Sequence, residues 1–203
     1  PAGAPGGGIN TFVDPALGVT ITGPAGATTV GTLTIGATSA GVASLELQSS
    51  GPLTADGAVW ITSAGRLAGA GLLHAPAGIT NDGVIDLGSG LQLSGGTLTN
   101  RGLLAGGGRV GNALSNAAAG EVRMAAGERM IFTAAAANAG KIEVMGGQVE
   151  FATGLANSGA VFARDAVLRF GTGLTNTGSV GVTYGVTDVF GDDWPMLEAR
   201  LLR

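Results

Sequence analysis

An Asn-x-Gly step that returns about every nineteen residues constrains this chain more than any other feature. The asparagines are Asn81, Asn100, Asn116, Asn138, Asn157 and Asn176, and the last three are 19 and 19 apart (157 − 138 and 176 − 157). A glycine follows each, usually two residues later, at Gly83, Gly102, Gly120, Gly140, Gly159 and Gly178, with intervals of 19, 18, 20, 19 and 19. In the third repeat Asn116 stands four before Gly120, so a short insertion, "AAA", has been absorbed in a loop. A fixed period of this size signals a repeat architecture.

Inside each unit the apolar residues alternate with period 2. Ile142 and Val144 are followed by Val149 and Phe151, then Leu155; one unit later come Val161 and Ala163, Leu168 and Phe170, then Leu174. Such alternation over four or five residues describes a half-buried strand. Strands this short cannot bury an apolar face as isolated hairpins, whereas coils stacked on one another share a continuous interior. The expected fold is all-β: a right-handed parallel β-helix, or solenoid, of about 19 residues and three short strands per coil. The handedness follows the general preference of parallel crossovers.

In such a stack equivalent asparagines lie one above another, where each amide can donate to the next and accept from the last, or bond turn backbone. The glycine would supply either a positive φ or a close backbone approach at the corner. On the outer face Glu150, Arg169 and Asp188, again 19 and 19 apart, should stack acid on base on acid, with Arg123 above Glu143. This charge order disfavours a slip of one coil.

The regular Asn-x-Gly coils run from 81 to 191 within one solenoid domain over 13–191. Residues 13–80 repeat more loosely, in stretches such as "VTIT", "VGTLTI", "ASLELQ" and "AVWIT". Together they suggest roughly nine or ten coils and a rod about 45 Å long at a rise of about 4.8 Å per coil. Residues 1–12, opening "PAGAPGGG", read as a flexible tail or a strand that docks on a neighbouring molecule. Residues 192–203 resemble a helical cap: Asp193 and Pro195 suit a helix start, Glu198 its first turn, and Arg200 and Arg203 its end. The competing reading is a chain that stops in mid-repeat.

Composition narrows the partners. Ten basic against fourteen acidic residues give a net charge of −4, which does not provide the basic surface that nucleic acid or anionic lipid requires. No apolar run reaches the length that membrane insertion needs. Only 4% of the residues are aromatic and 45% are hydrophobic, so regular stacking of Ala, Val, Leu and Ile must replace a bulky core. Zero cysteines exclude disulfides and thiolate chemistry. The chain begins at Pro1, as expected of a processed product or a fragment, a removed secretion signal being one explanation.

Catalytic chemistry finds little support. His74 is the sole histidine, in "GLLHAPAG", and reads as a surface residue at a corner. Asp188, Asp192 and Asp193 form a weak metal candidate whose spacing matches no calcium-loop pattern. Outward positions are mostly Gly, Ala, Thr and Ser, and Tyr184 is the single tyrosine. No metal, no cofactor and no enzymatic activity is expected.

The segments "LTNRGLL", "LANSGAV" and "LTNTGSVGVTYGVTDVFGD" resemble the N-x-G coils of bacterial surface β-solenoids. Similar coils occur in autotransporter passengers, filamentous-haemagglutinin-like adhesins and PEP-CTERM-type secreted proteins. The resemblance covers roughly residues 50–191. It implies an exported protein, extracellular or on the cell surface, that is a stalk or a self-assembling filament or matrix subunit. The expected partners are further copies, joined end to end or by strand exchange, or other surface proteins. The alternatives are an adhesin using the surroundings of Phe162, or a carbohydrate-binding or carbohydrate-cleaving β-helix with outward charged and aromatic residues on one strand face.

Overall fold

The computed structural model describes residues 7–14, 18–36, 41–88 and 90–189. Within them the chain winds through 27 short strands, with no helix among the described residues. Consecutive strands never pair with each other. Each pairs instead with the strands three before and three after it, which builds three parallel sheets of nine strands. Every coil thus gives one strand to each sheet, and the molecule is a β-solenoid of nine coils. At about 4.8 Å per coil the stack is about 43 Å long.

The first sheet runs from Thr11–Val13 through Val59–Ile61 and Ala136–Asn138 to Leu174–Asn176, and is called here the asparagine sheet. The second, from Val19–Thr22 through Lys141–Met145 to Ser179–Thr183, carries most of the ion pairs and is the charged sheet. The third, from Thr28–Val30 through Gln148–Phe151 to Val186–Val189, is the phenylalanine sheet.

The period-2 pattern sets which side chains enter the core. Ile142, Val144, Val149, Phe151, Leu155, Val161, Ala163, Leu168 and Phe170 are all buried, and the strand residues that alternate with them, Glu143, Glu150, Phe162 and Arg169, face outward. Three interior phenylalanines, Phe132, Phe151 and Phe170, stack with ring centroids 5.0 and 5.6 Å apart and interplanar angles of 4° and 6°. These separations are close to one coil rise, so the repeat itself holds the rings parallel.

The looser amino-terminal third belongs to the same stack. Leu33–Ile35 pairs with Val59–Ile61, and that strand with Ile79–Asn81, without a break. Thr11–Val13 pairs with Leu33–Ile35 of its own chain, and Gly31 N–H donates to the Ile9 carbonyl at 2.7 Å. The ordered stack therefore begins earlier than a tail over 1–12 would imply, because Thr11 and Phe12 already take ladder positions. The expected helix over 192–203 lies outside the described residues.

Coil length varies although register does not. Asn100, Asn116 and Asn138 are directly paired, although 16 residues separate the first two and 22 the next two. The extra residues sit between strands: Ala117–Ala119 form a turn closed by Gly120 N–H donating to the Ala117 carbonyl at 2.8 Å.

Candidate functional site

The six asparagines of the repeat form one column at the end of the asparagine sheet. Asn81 Nδ2 donates to Asn100 Oδ1 at 2.7 Å, and Asn100 in turn to Asn116 at 2.7 Å. The chain continues from Asn116 to Asn138 at 2.6 Å, to Asn157 at 2.7 Å and to Asn176 at 2.7 Å. The second proton of each internal amide lies between two backbone carbonyls, as at Asn100, which reaches the Gly102 and Glu121 oxygens at 3.2 and 3.0 Å. Asn81 to Asn157 are at most 2% exposed, whereas Asn176 is open to solvent.

All five inter-asparagine bonds point the same way. Aligned amide dipoles polarise one another, and the low surrounding dielectric strengthens each bond. The internal amides have spent both protons on the protein, so the column holds coils in register and offers a donor to solvent only at its exposed end, Asn176.

The same column continues into the amino-terminal coils with different chemistry. Asn81 sits opposite Ile61, Ile61 opposite Ile35, and Ile35 opposite Val13. Those aliphatic residues fill the place of the amide, a continuity to which the Asn-x-Gly spacing is blind. Asn112 is another wholly buried asparagine off the ladder, with Nδ2 donating to the Gly96 carbonyl at 2.7 Å.

Of the two roles open to the corner glycines, close approach applies. None of Gly83, Gly102, Gly120, Gly140, Gly159 and Gly178 has a positive φ. A Cβ on Gly140 would instead run into the backbone oxygens of Gly120 and Ala117, and one on Gly159 into that of Gly140. Positive φ occurs at the corner between the charged and phenylalanine sheets, where Gly127 and Gly146 are succeeded by Asp165 at φ 50° and Tyr184 at φ 53°.

Glu150, Arg169 and Asp188 take consecutive positions of the phenylalanine sheet. Glu150 is also bonded by Arg129, 2.8 Å away on the preceding coil. Arg123 lies opposite Glu143, but it bonds Glu121 of its own strand at 2.9 Å and stands 3.9 Å from Glu143. Lys141 closes the square, 2.8 Å from Glu143 and 3.5 Å from Glu121. Partial burial pushes the Glu121 carboxyl up, yet Arg123 and Lys141 together outweigh it and hold it below its ordinary value. The bond to Glu143 holds Lys141 above its own. Arg123 and Lys141 are half exposed, so each pair contributes at most about 1 kcal/mol.

His74 lies in the strand Leu72–Ala75 rather than at a corner, and its Nδ1 is 3.0 Å from Ser94 Oγ on the next coil. Ser94 is 20 residues away, one coil, so adding the period to His74 would have found it. Among the described residues no group of three or more His, Cys, Asp or Glu is placed to hold a metal ion. Asp192 and Asp193 lie outside those residues, and Asp188 is described only by its strand position. Among the described residues no helix is long and apolar enough to cross a membrane.

The outer face of the asparagine sheet changes character along the rod. Toward the carboxy end Ser115, Ala137, Ala156 and Thr175 line a shallow open groove of about 250 Å³ with small side chains. Toward the amino end the same line holds Phe12, Thr34, Trp60, Thr80 and Thr99. Phe162, on the charged sheet, is 39% exposed. No protein-family model, curated protein or solved structure matches the chain.

Proposed function

We propose that this chain is a non-enzymatic structural module of an exported bacterial surface or matrix protein, a rigid β-solenoid stalk. The observation that carries the reading is the unbroken amide ladder through six coils. Buried polar side chains are committed to holding one coil on the next, which is what a rod that must keep its length requires. The likeness of the Asn-x-Gly coils to those of bacterial surface solenoids supports the exported, extracellular setting.

Extension by end-to-end stacking of copies is the rival within the same class. Apolar side chains are exposed at both ends, Ile9, Phe12, Val19 and Ile21 at one and Val182, Tyr184 and Val186 at the other. The ends are nevertheless mismatched in the ladder column, which starts at Val13 and finishes at Asn176. A seamless head-to-tail joint would face the Asn176 amide with methyl groups and leave a donor unpaired, at a cost of about 1 to 3 kcal/mol. This mismatch favours a stalk.

Electron microscopy of the purified chain at rising concentration tests the proposal. Uniform rods about 43 Å long at every concentration are the expected result. Filaments that lengthen with concentration, and vanish when residues 1–12 are removed, would replace the stalk by a polymerising subunit joined through its first strand.

A further inference from the structure

Apart from any scaffolding role, the structure assigns a glycan-binding platform to the amino-terminal half of the asparagine sheet, with Phe12 and Trp60 as its stacking surfaces. The ligand class is an extended β-1,4-linked polysaccharide lying along the rod axis.

Phe12 and Trp60 are 64% and 53% exposed although both sit on a regular strand face, where outward positions elsewhere are mostly small. Register places them on one line with a single residue, Thr34, between them. They are therefore two coils apart, about 9.6 Å. An extended β-1,4 chain turns each sugar over relative to the last, so it presents the same ring face at every second sugar, a repeat of similar length. Two aromatic residues at this backbone spacing can each stack on one sugar while the sugar between them meets the Thr34 hydroxyl.

The tryptophan is held in place. Its indole Nε1–H donates to Asp82 Oδ2, 2.8 Å away on the following coil, which fixes the orientation of the ring. Asp82 is also 3.7 Å from Arg101, whose side chain is 56% exposed and has further donors for sugar hydroxyls. A ring fixed before binding loses little freedom when a ligand arrives. The rest of the line, Thr80 and Thr99, supplies hydroxyls rather than apolar bulk. Aromatic faces interleaved with hydroxyls and flanked by an ion pair suit a polyol better than an apolar protein surface.

Calorimetric titration of the whole chain with cellohexaose and chitohexaose, with α-linked maltohexaose as comparator, tests the assignment. Saturable binding of a β-linked hexamer is expected, weakened at least about tenfold by Trp60→Ala and by Phe12→Ala, partly kept by Trp60→Phe, and unchanged by Phe162→Ala on the charged sheet. Far-UV circular dichroism of each variant separates lost binding from lost fold. The assignment is overturned if neither β-linked hexamer binds, if maltohexaose binds equally well, or if folded Trp60→Ala and Phe12→Ala variants bind undiminished.

Discussion

Replacing Asn138 by alanine cuts the ladder near its middle, and the structure sets the size of the effect. Asn138 accepts from Asn116 at 2.6 Å and donates to Asn157 at 2.7 Å, with weaker contacts to the Gly140 and Ala160 carbonyls at 3.3 Å each. Truncation removes two short bonds at about 1 kcal/mol each. It also strands the Asn157 Oδ1 acceptor in a site 2% exposed, and orphans one partner of the Asn116 amide, which keeps the Gly120 and Lys141 carbonyls at 3.2 Å. A buried polar atom left without a partner costs about 1 to 3 kcal/mol. The expected loss is therefore about 3 to 5 kcal/mol. Asn176→Ala provides an internal comparison, because that amide is solvent-exposed and water replaces what is removed; its cost should be about 1 kcal/mol. Urea unfolding followed by circular dichroism measures both, and amide hydrogen exchange shows whether the loss centres on the coils around residue 138. Equal costs at the two positions would refute the claim that cooperative burial, rather than asparagine's turn preference, explains the column.

Asn138→Asp keeps the volume but, when ionised, sets acceptor against acceptor at Asn157. Burial raises the folded-state pKa of the new acid, so stability should improve as pH falls from 7 to 4, where the protonated carboxyl can donate; a pH-independent deficit would contradict this. Gly140→Ala should cost about 2 kcal/mol or more, since its Cβ meets the Gly120 and Ala117 backbone oxygens and neither belongs to a flexible side chain; an unchanged urea midpoint would sink the close-approach reading. Phe151→Ala removes the middle ring of the stack and should lower stability by about 3 to 5 kcal/mol with loss of near-ultraviolet dichroism; retention of both would show that the rings do not organise the core. Glu121, held below its ordinary value of 4.5, contributes stability that is present above that pH and lost as pH falls through its lower folded value. Glu121→Gln should remove that small part of the acid sensitivity, seen as a narrower gap between unfolding midpoints at pH 7 and pH 3.

The fold was legible because a solenoid writes its geometry as a period. Asn138, Asn157 and Asn176 give the coil length, and the alternation of Ile142, Val144, Val149 and Phe151 gives the strand faces. Contacts between coils required one further step, adding the period to a residue of interest. That step finds Ser94 from His74 and Lys141 from Glu121, both 20 apart, and in the less regular coils Asp82 from Trp60 at 22. The looser amino-terminal third hid such pairs, since its spacings vary and its column position is filled by Val13, Ile35 and Ile61 rather than by a marker residue. The exposed aromatic line is hidden in the sequence for the same reason: Phe12 and Trp60 are 48 residues apart, and only the register brings them onto one face.

The change from isoleucine to asparagine between Ile61 and Asn81 divides the rod into two regimes of specificity. An aliphatic column resists a one-residue slip, which would expose it, but it gains from burial almost regardless of which aliphatic residue lies above it. An amide column is discriminating, because a shift of one residue along the strand would turn the asparagines to the outer face and bring Thr99, Ser115 or Ala137 neighbours inward. Each amide that lost its partners would forfeit about 1 to 3 kcal/mol, and the five bonds of the ladder would be lost together. Coil length varies in both regimes: 22 residues from Val13 to Ile35 and 26 from Ile35 to Ile61 in the aliphatic one, 16 before Asn116 and 22 after it in the amide one. In both the turns change length while the paired column residues keep their places, so continuous sheets tolerate loop variation throughout, and in the amide regime the ladder adds a directional bond that marks the register.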